Sequence, residues 1–366
     1  MLFNQNQLGV MMGQNMLSTG PTSATPRAVI FDIESREVGT WTIKNNIGTV
    51  TPAFPTSGFP TKFKFNANGT TLAMCYSLSP YVYFYNKIGN DYSKLDDFAA
   101  GHIPNKTSQG VSWHPNNKYV AAVFDSNNNL GQCVVWERNG DTFTTITNTS
   151  SFNITATIAM SGCAWNPQGD TLILCATGAP YFLAYSFDES TKTFNKIVNP
   201  LDSTPTVRVD DLAWNHNGTS IALAAGNTSP RLWIYNRNSL SSTSTFTKLA
   251  NPASLPTREL YGVAFGGTNS EYLVCNGNTS PYVHFYYRTG DTFNKAANPT
   301  TLPTGLDGNG IDINPEGTFV VSVHYNGPTT YFRRDTNTTN TWINIGGQVA
   351  TGNYGRGPDI HPSFRI

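Results

Sequence analysis

One short hydrophobic pattern recurs along the whole chain. Apolar residues flank an aromatic or aliphatic anchor, and polar turn residues follow it, as in VSWHPNN, CAWNPQG and IDINPEG. The anchors are Phe65, Trp113, Trp165, Trp214, Phe265, Ile313 and Ile360. They stand 47 to 52 residues apart. A fixed period of about 50 residues is typical of propeller blades, so the sequence predicts a repeat protein.

Three further strands are predicted after each anchor. Alternating apolar residues begin seven places later, for example at Leu72, Val120 and Leu172, and this alternation favours a half-buried strand. A third strand opens at a proline, as in SPYVYFY, APYFLAY and SPRLWIY, and proline suits a first strand position that needs no ladder donor. The fourth carries an aromatic residue in a Thr-rich setting, as in DTFTTI and DTFNKA. Each repeat therefore predicts a four-stranded blade.

The two ends of the sequence complement each other. The C-terminal PDIHPSFRI matches the first two strands of a blade, whereas TPRAVIFDI and VGTWTIKN near the N-terminus match the third and fourth. We therefore expect an all-β fold, a seven-bladed β-propeller over residues 26–366, whose last blade combines C-terminal strands A and B with N-terminal strands C and D. A shared blade would leave no open sheet edge.

Residues 1–25 carry no charge and do not resemble a secretory signal, which would begin with a basic segment. We interpret them as an uncharged N-terminal arm, because adaptable methionine side chains suit docking on another protein. The candidate assembly residues of this arm are Leu2, Phe3, Leu8, Met11, Met12 and Met16.

The repeat units resemble those of a known class of propellers. Segments reading SPYVxFYxRxGDTFxKxANPxxLPT are similar to WD40-like and YVTN-like repeats found in bacteriophage tail and other virion proteins, although no blade ends in Trp-Asp. The resemblance implies a non-enzymatic virion structural protein of the tail or adsorption apparatus, assembled in the host cytoplasm. Its arm would bind other virion proteins, and its propeller would contact a protein, a host surface receptor or a glycan.

Composition narrows the classes of partner. Charged residues make up 13% of the chain, with 23 basic and 23 acidic side chains. A nucleic-acid-binding protein normally shows a basic face, and a membrane-spanning helix needs a long apolar run. Neither feature occurs in the sequence, so we expect no nucleic-acid partner and no membrane insertion.

The residue types that usually carry chemistry have structural explanations. Cys75, Cys175 and Cys275 each stand ten places after an anchor, where other blades carry Val123 or Ala224, which indicates a small core position. No C-x-x-C pair suggests a metal site, and no nucleophile elbow, phosphate-binding loop or H-E-x-x-H motif is present. The sequence thus predicts no metal, no cofactor and no enzymatic activity.

One group of residues remains as a candidate binding site. Guanidinium groups suit planar anions, and several arginines fall with acidic and aromatic residues in the connections that lead into new blades. The candidates are Arg208, Asp211, Arg258, Tyr261, Asp307, Tyr354 and Arg356. An alternative is a carbohydrate-binding, lectin-like propeller in which loop aromatics such as Phe54, Phe59 and Phe98 stack on sugar rings.

Overall fold

The computed structural model describes most of the chain from residue 58 onwards, and four strands before it. The early strands are β1 (Leu8–Met12), β2 (Ala28–Glu37), β3 (Thr40–Asn45) and β4 (Val50–Thr51). The later described residues are 58–348, 357–360 and 362, except 90, 97–104, 126–132, 147–151, 153, 155–157, 199, 242–243, 304–306, 326–328 and 336–339.

The first three blades follow one another along the chain. Their strands are β5 (Pro60–Phe65), β6 (Thr71–Tyr76), β7 (Val82–Ile88) and β8 (Asp91–Lys94); β9 (Ser108–Trp113), β10 (Tyr119–Phe124), β11 (Cys133–Asn139) and β12 (Thr142–Thr145); and β13 (Met160–Trp165), β14 (Thr171–Ala176), β15 (Phe182–Asp188) and β16 (Thr193–Lys196). Consecutive strands pair antiparallel within each blade, and β4 adds a parallel fifth strand to the outer edge of the first.

The next three blades repeat the arrangement. Their strands are β17 (Val209–Trp214), β18 (Ser220–Ala225), β19 (Leu232–Arg237) and β20 (Phe246–Lys248); β21 (Leu260–Gly266), β22 (Tyr272–Gly277), β23 (Val283–Thr289) and β24 (Thr292–Lys295); and β25 (Gly308–Ile313), β26 (Phe319–His324), β27 (Thr329–Arg334) and β28 (Trp342–Gln348). The anchor strand of each blade contacts the anchor strand of the next, so these strands surround a central channel.

The prediction of an all-β propeller is confirmed, but the predicted blade count is not. Six blades are built from four consecutive strands each, rather than the seven expected. A further sheet joins a short C-terminal strand, β29 (Asp359–Ile360), to β1, β2 and β3. Its second strand is β1 and not a C-terminal strand, so Leu8, Met11 and Met12 of the predicted arm lie in a sheet, paired with β2. Leu2, Phe3 and Met16 fall outside the described residues.

The hydrophobic core lies between the faces of neighbouring blades. One buried cluster, for example, combines Tyr119 and Val123 of the second blade with Trp165, Leu172 and Tyr185 of the third. All five cysteines are buried and unpaired, as expected for core positions. Burial raises the pKa of the Cys75 thiol to about 12. Among the described residues, no helix is long and apolar enough to cross a membrane.

The polar residue after the anchor explains the tight turn into the second strand. The Asn66 side chain accepts a hydrogen bond from the Thr71 amide at 3.0 Å, and Asn166 accepts one from Thr171 at 2.9 Å. An Asn side chain that binds nearby backbone in this way stabilises a turn locally. The repeated asparagines therefore position the anchor strands and contribute no chemistry.

Glycine at one position of the anchor strands sets how closely they approach. Gly110, Gly162, Gly262, Gly310 and Gly357 each stand three residues before an anchor. A Cβ atom added at Gly262 would lie 2.9 Å from both the Gly310 Cα and the Ile311 amide nitrogen in the next blade. Because the obstructing atoms belong to backbone, only glycine fits without moving a strand.

We therefore expect Gly262→Ala to destabilise the fold by about 1–3 kcal/mol, the usual cost of overpacking a tight core. The matched control is Gly178→Ala, whose added Cβ would meet its nearest neighbour, Ile158 Cγ2, at an ordinary 3.7 Å. Urea unfolding of both variants measures the difference. Equal stability of the two variants would contradict the proposed steric limit.

Candidate functional site

A polar cavity lies at the upper mouth of the channel, the end at which the anchor strands begin. Its volume is about 240 Å³. The anchor strand of each of the six blades contributes the residue four places before its anchor, because a β-bulge leaves this residue unpaired with the second strand, and a bulge redirects the side chain. The contributed residues are Thr61, Gln109, Ser161, Asp210, Tyr261 and Asn309.

Arg208 organises the charged side of this mouth. Its Nε lies 3.0 Å from Asp210 Oδ2, and its Nη2 lies 2.7 Å from Glu259 Oε2. The guanidinium also sits 5.6 Å from the centre of the Tyr261 ring. Arg208 and Asp210 are two residues apart as β17 begins, so in extended backbone their side chains leave on the same side. This arrangement holds the arginine between two carboxylates from adjacent blades.

Both carboxylate oxygens of Glu259 contact neighbouring side chains. Oε2 contacts Arg208, and Oε1 accepts a hydrogen bond from Asn278 Nδ2 at 2.8 Å. Its side chain is 14% exposed. A carboxylate with both oxygens bound is well suited to hold another group in place. Glu259 therefore fixes Arg208 rather than facing solvent.

Two neighbours have raised pKa values because of this environment. Burial raises the pKa of Tyr261 to about 12, and the Glu259 charge adds to the effect. Burial also raises the pKa of the Asp307 carboxyl, again with a contribution from Glu259. Tyr261 consequently stays protonated at neutral pH and remains a hydrogen-bond donor.

An ion pair that crosses the axis forms the floor of the cavity. Lys62 Nζ in the first blade lies 3.0 Å from Asp211 Oδ1 in the fourth, and Asp211 Oδ2 accepts a hydrogen bond from the Val263 amide at 3.3 Å. Both residues occupy the position that holds glycine in the other anchor strands, so their side chains enter space that glycine leaves free. The pair lines both this cavity and the one below it.

The cavity at the lower mouth has a volume of about 470 Å³ and contains a second set of charges. Ile360 donates its amide to Asp312 Oδ2 at 2.7 Å, and Phe65 donates its amide to Asp359 Oδ2 at 2.6 Å. Lys64 forms an ion pair with Asp359. These contacts bind β29 to the sixth blade on one side and to the first blade on the other. We call the five residues that make these contacts, Lys64, Phe65, Asp312, Asp359 and Ile360, the latch.

Asp312 gives this latch a distinctive pH dependence. Burial in the channel raises its pKa to about 6, although the Lys64 ammonium opposes the shift. An unfolded Asp has a pKa of about 3.9, so the folded state binds more protons between roughly pH 4 and pH 6. The contribution of Asp312 to the free energy of unfolding therefore falls as pH rises through this window.

We expect Asp312→Asn to remove that pH-dependent contribution while an amide oxygen still accepts the Ile360 hydrogen bond. The measurement is the difference in free energy of unfolding between variant and parent from about pH 4 to pH 7. Asp291→Asn is the control, because hydrogen bonds from Asn236 and Arg288 lower the pKa of Asp291 and reverse the sign. A flat difference for Asp312→Asn would contradict the assignment.

The structure brings together some of the residues selected from the sequence. Arg208, Asp211 and Tyr261 line the upper cavity, and Asp307 lies near Glu259. Arg258 is exposed and does not line the cavity. Tyr354 and Arg356 lie outside the described residues, as do Phe54 and Phe98.

Sequence reasoning missed two residues that shape the site. Lys62 forms the floor with Asp211, and Asp125 lines the wall and accepts a hydrogen bond from Gln109 Nε2 at 2.9 Å. The signal for Lys62 was present in the repeat, because it replaces a glycine that five other anchor strands keep. No comparable signal marks Asp125. In the described part of the chain, no group of three or more His, Cys, Asp and Glu side chains could hold a metal ion.

Solved structures share this fold over nearly the whole chain. A periplasmic gluconolactonase of Pseudomonas aeruginosa matches with a TM-score of 0.69 and 11% identity, covering 97% of this chain and 99% of its own. A candidate 6-phosphogluconolactonase of Bacteroides fragilis matches with a TM-score of 0.69 and 13% identity, covering 98% and 99%. A Lactobacillus plantarum protein matches with a TM-score of 0.68 and 14% identity, covering 97% and 99%. No protein-family model and no curated protein matches the sequence.

These matches contradict the function inferred from the repeat resemblance. The expectations of a virion structural protein, a virion location and no enzymatic activity are wrong, because the similar structures include gluconolactonases, one of them periplasmic. The expectation of host attachment finds no support in these matches. The reason is physical: the repeated residues encode strands, turns and core contacts that propellers of unrelated function share. At these identities the likeness itself shows the fold alone.

Proposed function

We propose that this protein is a lactonase that hydrolyses the ring ester of a small polyhydroxylated lactone in the upper cavity. The observation that carries the proposal is the Arg208 cluster, in which a guanidinium is held between Asp210 and Glu259 at the edge of a polar pocket. The fold shared with gluconolactonases supports the same reaction class. Structural likeness alone would not identify a reaction, because one fold hosts many chemistries.

The reaction needs a base, a group that stabilises negative charge and a place for the leaving oxygen. Asp210 is the candidate base, because its carboxylate lines the cavity and is held 3.0 Å from Arg208 Nε. It takes a proton from water as the water oxygen attacks the lactone carbonyl carbon. The carbon–oxygen ring bond then breaks, Asp210 returns the proton to the ring oxygen, and the open hydroxy acid leaves.

Arg208 and Tyr261 complete this assignment. The two ion pairs of Arg208 use Nε and Nη2, so Nη1 is outside them and is assigned to the developing oxyanion. Tyr261 has a pKa of about 12, remains protonated and donates a hydrogen bond to the ring oxygen as it leaves. Glu259 acts on the reaction only by holding Arg208.

Cavity size favours a single sugar ring over a longer glycan. The volume of about 240 Å³ lies just below the range of about 300–1,000 Å³ that is usual for ligand pockets. Most of the lining residues are polar and fixed to β-strands, which suits the hydroxyl groups of one small ring. The proposed substrate is therefore a monosaccharide-sized lactone.

We expect Asp210→Asn to reduce kcat/KM for glucono-1,5-lactone by about 10²-fold or more, the usual loss when a general base is removed. The assay is continuous proton release at constant pH, after subtraction of spontaneous hydrolysis in the same buffer. A parent protein that never exceeds the buffer rate with a panel of aldonolactones would overturn the proposed function.

Asp291→Asn is the matched control for that variant. Asp291 lies 3.1 Å from Arg288 Nη2 in an ion pair like that of Asp210 and Arg208, but away from the cavity. It should retain the parent activity. Equal losses in both variants would show that charge removal, and not the loss of a base, is responsible.

We also propose that the sheet of β29, β1, β2 and β3 closes the ring as a further blade. The contacts of β29 with both β25 and β5 support this placement, and so do the hydrogen bonds of the latch. One blade would then be shared between the chain ends, as predicted, but with one C-terminal and three N-terminal strands. β1, rather than a C-terminal strand, would be its second strand.

Deletion of residues 1–12 tests this closure, because it removes the strand that pairs with β29. We expect a loss of at least about 2 kcal/mol, or several degrees in the thermal midpoint for a chain of this size. Deletion of residues 1–7 alone is the control and should leave the midpoint unchanged. Identical midpoints for the two deletions would remove the support for closure by this sheet.

A further inference from the structure

The upper cavity carries an excess of negative charge among the residues that the structure describes. Two cations, Lys62 and Arg208, and three carboxylates, Asp125, Asp210 and Asp211, form its lining. Two further carboxylates stand behind them, since Glu259 contacts Arg208 and Asp307 lies close to Glu259. Among the described residues, an anionic ligand would therefore meet five carboxylates and two cations.

Both cations are already neutralised by short contacts. Lys62 lies 3.0 Å from Asp211, and Arg208 lies 3.0 Å from Asp210 and 2.7 Å from Glu259. A phosphoryl or carboxylate group could bind Lys62 only by displacing Asp211. At Arg208 it could contact only Nη1, which lies outside the two ion pairs, and it would then lie beside the Asp210 and Glu259 carboxylates. At either cation the incoming anion would lie beside a partly buried carboxylate, and this juxtaposition of like charges disfavours binding.

The uncharged groups of the cavity match hydroxyl groups instead. The Ser161 hydroxyl donates to the Val209 carbonyl, and the Thr61 hydroxyl donates to the Ser108 carbonyl, so both keep lone pairs that can accept hydrogen bonds. Asn309 also lines the cavity, and its side-chain amide offers both donor and acceptor groups. A polyol ring, whose hydroxyls donate and accept, satisfies these groups without disturbing an ion pair.

We infer that the upper cavity selects an uncharged polyhydroxy lactone and discriminates against lactones that carry a phosphate or carboxylate. This inference rests on the proposed lactonase function and specifies its substrate class. The site then discriminates between lactones by the charge of their substituents and not by the size of their rings. Glu259 is the specificity-determining residue, because it neutralises Arg208 without lining the cavity itself.

The experiment compares kcat/KM for glucono-1,5-lactone and its 6-phosphate in the full-length protein. We expect the neutral lactone to be preferred by about 10²-fold, or about 2.7 kcal/mol. In Glu259→Gln the preference should fall at least tenfold, because Arg208 loses one counter-charge while the amide can still bind Asn278. Asp291→Asn is the control and should keep the parent preference.

Salt supplies a second readout of the same repulsion. Raising NaCl from about 0.02 M to about 0.5 M shortens the screening length from roughly 20 Å to below 5 Å. The rate with the phosphorylated lactone should therefore rise relative to that with the neutral one. A purely steric rejection of the phosphate would not respond to salt, and that result would overturn the charge argument.

Binding measurements separate this inference from the proposed reaction. Calorimetry with the hydrolysis-resistant 1,5-lactam and its 6-phosphate reports selectivity whether or not the protein is a catalyst. Tighter binding of the neutral lactam without hydrolysis of any lactone would overturn the reaction and keep the selectivity. Hydrolysis with equal or better use of the phosphorylated lactone would overturn the selectivity and keep the reaction, and failure to bind either lactam would overturn the inference.

Discussion

The close approach of the anchor strands around the channel is the constraint on which the rest of the structure depends. Glycine three residues before the anchor lets neighbouring backbones come within van der Waals contact, as at Gly262 and Gly310. Strands this close leave little free space at the axis, so any side chain at that position must point into the channel. Lys62 and Asp211 are the two such side chains, and their ion pair divides the channel into an upper and a lower cavity.

The repeat made most of the fold predictable, because strands and turns rely on the same residues in each blade. Anchors such as Trp165 lie at strand ends as expected, and Asn166 forms the expected turn. The second strand of the shared sheet was not predictable in this way. β1 has no anchor and no opening proline, and its partners lie at both ends of the chain, so pairing and not local pattern determines its place.

The site was less predictable, because it lies where blades depart from the repeat. Arg208, Asp211 and Tyr261 were recognisable as unusual charged or aromatic residues at blade starts. Their association depends on distances between blades that no local pattern contains, as for Arg208 and Glu259. The function inferred from the resemblance to virion repeats was wrong for a related reason. The resemblance lies in positions that maintain packing, and such positions do not indicate which reaction a protein performs.

One strand, β5, contacts β29 and also contributes to the candidate site. Lys62 forms the cavity floor, while Lys64, two residues later on the same face, belongs to the latch that binds β29. The Phe63 amide between them donates to the Gly357 carbonyl at 3.3 Å, and a Cβ on Gly357 would fall 2.2 Å from Lys62 Cδ. The chain leading into β29 therefore confines the Lys62 side chain directly. Displacing β29 would free Lys62 from this wall, so the position of β29 contributes to the shape of the upper cavity.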